Sequence, residues 1–261
     1  KPDFEKMSGG FALTGENVAD GDDGYRAQSF LNIPISENLA VRAVFYEYDK
    51  AGFLDNLGTN TEDVNTEEVT GGRLALRWAI SDRSEFNLLY LNQSQRVGAH
   101  QSNGGSQTAS STYTPVDNGA PTDIGPPDLE NPSFRSNINP ISDRDFEVLN
   151  LKLDVNFDHF DLSVMGATKE RKRLKKWDAS LWIGIYDDVT TTLDIENEDF
   201  DANTFEVRLV SNSDGPIEWI AGLWYEKEEG SLSTLITIET PRTDLVVFGQ
   251  PSANLSNGNS F

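Results

Sequence analysis

Six basic residues crowd into one short run: Lys169, Arg171, Lys172, Arg173, Lys175 and Lys176. Such a run can attract an anionic solute through its field, or it can balance neighbouring acids on a solvated face. Trp177, Trp182 and Tyr186 follow directly. Aromatic rings beside cations suit stacking on a ligand and suit packing within a loop equally well. Lys169, Arg171, Arg173, Trp177, Trp182 and Tyr186 are therefore the candidate ligand-binding positions. The acidic stretch Asp187, Asp188, Asp194, Glu196, Glu198, Asp199 and Asp201 offers the oxygen ligands calcium takes. It lacks the glycine-centred spacing of a calcium loop, so solvated loop charge is the expectation. His100 and His159 stand far apart, with no companion ligands at metal-site spacing, so no metal site is expected. There is no glycine-rich phosphate loop, nucleophile elbow or paired acid dyad. The sequence points to neither a catalytic site nor a cofactor.

Composition narrows the setting of these residues. Forty-three acids against 21 bases give a formal net charge of -22, which excludes a phosphate-binding surface for nucleic acid. Cysteine is absent, so there is no disulfide or thiolate chemistry. Hydrophobic residues make up 37% and mean hydropathy is -0.48, values of a polar chain. No apolar run reaches the length of a transmembrane helix. A membrane barrel remains open, because its strands meet lipid only on alternate residues and its loops are polar. Lys1 carries no signal peptide, and we expect the chain to start inside a larger protein.

The elements that must position the candidates are strands. Period-two alternation recurs, while helical spacing is nearly missing. Leu149, Leu151, Leu153, Val155 and Phe157 point one way and Asn150, Lys152, Asp154 and Asn156 the other. Leu74, Leu76, Trp78 and Ile80 alternate with Arg73, Ala75, Arg77 and Ala79. Phe205, Val207 and Leu209, then Ile217, Trp219, Ala221, Leu223 and Tyr225, and Leu39, Val41, Ala43 and Phe45 repeat the pattern. Phe86 to Asn92 is ambiguous, since its leucines fall on both faces. Strands are expected at roughly 8–16, 24–33, 39–48, 68–80, 84–96, 145–157, 159–172, 201–211 and 217–230, each antiparallel to the next. Short turns at 34–38, 81–83, 158–159 and 212–216 alternate with long loops at about 49–67, 97–144 and 173–200. A meander through a membrane segregates loop lengths in this way.

Several blocks resemble the start of the barrel in TonB-dependent receptors. Lys1-Pro2-Asp3 looks like the end of the plug domain, and Gly9-Gly10-Phe11, Leu13-Thr14-Gly15 and Tyr25-Arg26 follow it. The most specific block runs from Leu31-Asn32-Ile33-Pro34 through Ser36-Glu37-Asn38 to Arg42, with Asp49-Lys50-Ala51-Gly52-Phe53-Leu54-Asp55-Asn56 after it. Gly71 to Trp78 looks like the family's fourth strand, and Phe205 to Leu209 and Glu218 to Tyr225 are similar to its eighth and ninth. The resemblance implies an all-β, antiparallel up-and-down meander. Residues 1–261 would then supply nine or ten strands of a 22-stranded transmembrane barrel, with neither the plug nor the motif that engages the energy transducer.

It further implies a Gram-negative outer-membrane receptor and transporter, not an enzyme. Such a protein takes up a bulky, scarce solute, most commonly an iron chelate (a siderophore). Implied partners are outer-membrane lipid and lipopolysaccharide, the chelate, and a TonB-type transducer acting through the plug. In that setting the basic run would draw an anionic ferric chelate or touch lipopolysaccharide phosphates, and Trp78 and Trp219 suit an aromatic girdle. Two alternatives are a secreted soluble β-sandwich that binds carbohydrate through loop aromatics, and a degenerate barrel piece without transport activity. Whether a second sheet covers the apolar strand faces separates the sandwich from the barrel.

Overall fold

A computed structural model describes residues 1–98, 133–134, 136–179, 191–212 and 217–239. The strands are β1 (Ser8–Asn17), β2 (Asp23–Ser36), β3 (Leu39–Lys50), β4 (Asp55–Asn56), β5 (Glu67–Ser81), β6 (Ser84–Val97), β7 (Ser133–Phe134), β8 (Ile141–Asn156), β9 (Phe160–Asp178), β10 (Thr191–Ser211) and β11 (Ile220–Glu239). No helix occurs among the described residues. Nine strands form one antiparallel sheet in the order β1-β2-β3-β5-β6-β8-β9-β10-β11, and β4 and β7 make a separate two-residue parallel pair. The all-β meander expected from the sequence is what the chain adopts.

Register assigns every side chain to a face. One row reads Leu39, Trp78, Phe86, Leu153, Val164, Val207 and Leu223 across seven strands. The next reads Ile33, Val41, Leu76, Leu88, Leu151, Gly166, Phe205 and Tyr225. These rows make a continuous apolar face; Asn32, Arg42, Arg77, Asn87 and Lys152 occupy the other, polar face. The ambiguous segment is thereby settled: Phe86, Leu88 and Tyr90 join the apolar face, and Leu89 and Leu91 the polar one. Among the described residues no second sheet covers the apolar face, where Phe11 is 71% and Leu223 64% exposed. The two-sheet sandwich therefore loses its basis.

Several strands run further than hydropathy shows. β9 continues to Asp178 and β10 begins at Thr191, so the connection expected at 173–200 narrows to 179–190. β8 begins at Ile141, inside the expected 97–144 loop, and β11 spans 220–239 instead of 217–230. The sequence places Pro34, which cannot donate to a ladder, just past the end of the strand expected at 24–33. Instead a bulge between Pro34 and Ser36 absorbs the irregularity and β2 runs on to Ser36.

Because the sheet is a meander, its connections fall alternately on two rims. The turns after β2, β5, β8 and β10 share one rim. There Asn38 Nδ2 donates to Ala79 O (3.0 Å), Arg83 pairs with Asp158 (2.6 Å), and Asn212 N donates to His159 O (3.2 Å). The longer connections share the opposite rim and interlock through Asn56. Its Nδ2 donates to Ile138 O and Asn139 Oδ1 (both 2.9 Å), and its Oδ1 accepts from Gly58 N (3.0 Å) and Ser136 N (2.9 Å). Asn56 itself is 1% exposed, so its side chain makes these bonds from a buried position.

Gly58 shows how closely the loops meet: a Cβ placed there would lie 2.1 Å from Ser136 O, whereas one at Gly166 meets nothing within 4 Å. Gly58→Ala must push the 51–66 and 133–140 segments apart, at a cost of about 1–3 kcal/mol. Hydrogen exchange of the full-length protein should show faster exchange at Ser136 N and Leu57 N in Gly58→Ala. Gly166→Ala should match wild type; unchanged protection in Gly58→Ala would contradict the interlock.

Candidate functional site

The whole basic run lies on β9, including Arg173, Lys175 and Lys176, which fall in the connection expected at 173–200. Lys169, Arg171, Arg173, Lys175 and Trp177 alternate along the long-loop half of β9 and project from the polar face, while Lys172 and Lys176 share the face of Leu151. The acids expected to be solvated loop charge, Glu196 and Glu198, lie on β10 directly across from them. Arg171 pairs with Glu198. Arg173 Nη2 lies 3.0 Å from Glu198 and 3.5 Å from Glu196, and Lys175 Nζ is 3.3 Å from Glu196. Alternation of charge against charge holds β9 and β10 together where apolar alternation has stopped, which is why hydropathy ended both strands early.

Each remaining candidate has a defined place. Lys169 Nζ lies 5.3 Å and Arg171 Cζ 5.1 Å from the Phe200 ring, and Lys175 Nζ lies 5.0 Å from the Trp177 ring. These are cation–π distances. Arg173 Nε and Trp177 Nε1 are buried without a hydrogen-bond partner among the described residues. Trp182, Tyr186, Asp187, Asp188 and His100 lie outside the described residues. His159 sits at the short-turn rim, and no group of three metal-ligating side chains occurs among the described residues. Trp78 and Trp219 are both exposed near that rim, Trp78 on the apolar face.

Residues that the sequence reading missed hold this rim in shape. Asp178 Oδ2 accepts from Ser136 Oγ (3.3 Å) and Asn137 N (2.8 Å), fastening the 133–140 segment to the top of β9. Asn65 Oδ1 accepts from Phe53 N and Leu54 N (2.7 and 2.8 Å), closing the 51–66 loop on itself. Asp22 N donates to Gly52 O (3.0 Å), and Ala51 N to Glu16 Oε1 (3.1 Å), tying in the β1–β2 turn. Asn56 lay within the block of strongest resemblance, which was the one available signal.

A solved structure, the ferric yersiniabactin uptake receptor FyuA from Yersinia pestis, superposes on this chain with a TM-score of 0.65 over 92% of its length, at 14% identity. The fold is that of part of an outer-membrane β-barrel receptor. The chain spans only 33% of that receptor's length. No protein-family model and no curated protein matches the sequence.

Asp63 lies in the 51–66 loop at the long-loop rim, where its N–H donates to Asp55 Oδ1 (3.1 Å). Burial, then the neighbouring carboxylates Asp55, Asp22 and Glu62, raise its pKa above the ordinary carboxylate value. A carboxyl whose folded pKa is raised binds its proton more tightly folded than unfolded, so its contribution to stability falls as pH rises through that window. At neutral pH the charged form strains the loop, and acidification relieves it. Asp63 also adopts φ 56°, a conformation asparagine accepts readily. Asp63→Asn should therefore protect residues 52–65 from hydrogen exchange at neutral pH and reduce their pH dependence below neutrality. A less protected loop in Asp63→Asn would refute this origin of the strain.

Proposed function

We propose that the nine strands are part of the wall of an outer-membrane barrel, with the apolar face against lipid and the polar face toward the lumen. The observation that carries this reading is the oblique course of the apolar band. On β1 it reaches up to Phe11 and Leu13, on β3 it runs from Leu39 to Phe45, and on β10 it lies lower, at Phe205 to Leu209. A band of constant height crosses tilted strands in this way, and barrel closure requires tilt. Polar chemistry begins directly above it: Tyr25 donates to Glu47 (2.7 Å) and Tyr90 to Glu147 (3.0 Å). Trp78 closes the lower edge, so aromatics flank the band as an interfacial girdle does.

On this reading the whole protein is a receptor for a bulky, scarce solute, and the likeness to a ferric yersiniabactin uptake receptor favours an iron chelate. The interlocked loops form the outer mouth, with Lys169, Arg171, Arg173 and Trp177 on its inner wall and Trp182 and Tyr186 in the adjoining connection. Lys172 and Lys176 face outward, where lipopolysaccharide phosphates would meet them. Energy would come from a TonB-type transducer acting through a plug. No covalent bond is made or broken, so no enzyme activity is part of the proposal.

Depth provides the test. Leu151 lies mid-band on the apolar face, and Lys152, on the other face, pairs with Asp154 (2.9 Å). Leu151→Arg in the full-length protein should cost about 2–4 kcal/mol in reversible unfolding from lipid vesicles. Lys152→Ala should cost under about 1 kcal/mol. Small, equal effects would mean that neither face meets lipid. Sidedness can be checked on intact cells: added protease should cut within 99–132 and spare the turns at 82–83 and 157–159.

A further inference from the structure

We infer that the polar face of β2, β3 and β5 carries an arginine ladder that conducts or holds a multivalent oxyanion, a substrate class resting on the transport reading above. Register places Arg77 level with Ala40, then Arg42, then Arg73 level with Val44, and Arg26 level with Tyr48. Successive levels on one face are two residues, or about 6.7 Å, apart. The rungs therefore climb from the short-turn rim toward the loops, with only the Tyr46 level lacking an arginine.

Between the levels of Ala40 and Tyr48 the same face of β1 to β6 presents no carboxylate. In a chain with 43 acids and 21 bases, four cations on one wall, three of them without a carboxylate partner among the described residues, need a reason. Arg77 alone is paired, with Glu85 from below the ladder (2.8 Å). Arg26, Arg42 and Arg73 make no ion pair among the described residues, unlike Arg171 and Arg173. Rings back three of the guanidiniums: Phe4 lies 4.2 Å from Arg77, Phe30 4.0 Å from Arg42, and Tyr48 5.6 Å from Arg26. A stacked guanidinium keeps its N–H edges available, and those edges match carboxylate and phosphate oxygens bidentately.

A small oxyanion fits better than an acidic polypeptide. One polypeptide segment does lie on this wall: Asn32, fully buried, donates to Asp3 O and Lys6 O (both 3.0 Å), and Lys1 pairs with Glu85 (2.6 Å). That segment carries Asp3 and Glu5, yet neither forms an ion pair with the ladder.

The test uses the full-length protein in phosphatidylcholine nanodiscs, with inorganic pyrophosphate as probe and calorimetry at low salt. Arg42→Gln/Arg73→Gln should weaken binding roughly ten- to a hundredfold, the loss expected for one or two charged hydrogen bonds. Lys152→Gln, on the same face but off the ladder, should stay within about twofold, and Arg42→Lys/Arg73→Lys should recover part of the loss. Unchanged binding in the glutamine variant, or none in wild type, overturns the ladder. So does hexaglutamate binding more tightly than pyrophosphate with the same arginine dependence, which would make the partner an acidic polypeptide. Quenching of tryptophan fluorescence by brominated lipid separates the two readings. A protein that is not quenched fails the membrane assignment, and one that is quenched but does not bind pyrophosphate fails the ladder alone.

Discussion

Cross-strand register is the constraint on which everything else rests. A strand alternates its side chains with a period of two, so a slip of one residue would move every leucine of a strand to the polar face and every arginine to the apolar face. Both rims guard against that slip. At the short-turn rim, reciprocal bonds between Asn38 and Ala79 lock β3 to β5, and bulges near Ile35 and Ile80 take up odd residues before they reach the rows above. At the other rim the lock is buried amide chemistry, with Asn56 satisfying four groups from the chain around it.

The two faces then make opposite demands. Apolar surface left in water costs about 25 cal/mol per Å², and rows such as Leu39 to Leu223 have no covering layer among the described residues. Among the described residues the buried apolar side chains are few and sit mostly toward the loop rim: Ala51, Val69, Phe134, Ala179 and Leu193. A sheet without a core of its own takes its stability from its ladders and from whatever apolar medium meets its outer face. The interlocked loops therefore matter more here than loops on a compact domain, since they add contacts between connections that the meander alone leaves separate.

How much of this was legible follows from which interactions are local. The mid-strand segments Leu149 to Val155 and Leu74 to Trp78 were plain, because one hydropathy contrast per residue suffices. The upper halves of β9 and β10 were not. There Arg171, Arg173 and Lys175 face Glu196 and Glu198, and two charged strands side by side look like polar loops until they are paired. Leu89 and Leu91 blurred β6 by placing apolar residues on the polar face. Asn56, Asn65 and Asp178 were invisible as hubs, because their partners lie at other points in the chain and a lone Asn or Asp in a loop predicts only a turn. Of the candidate site, the positions on β9 came together on one face, but as members of an ion-pair network and not as free cations.

That last difference bears on how charge in such a wall should be judged. Local density in sequence drew attention to the run from Lys169 to Lys176, where six cations are conspicuous. Three of them are answered by carboxylates across a single strand boundary, and Lys172 is answered by Glu170 on its own strand. Arg26, Arg42 and Arg73 are scattered over 48 positions of sequence and pass unnoticed, yet antiparallel pairing stacks them on one face with no acid among them. Field strength at a surface depends on what lies within a Debye length, about 8–10 Å, and in a sheet that neighbourhood is set by register. Judged by register, Arg26, Arg42 and Arg73 are the cations with no carboxylate facing them across a strand boundary, whereas most of the conspicuous run is answered.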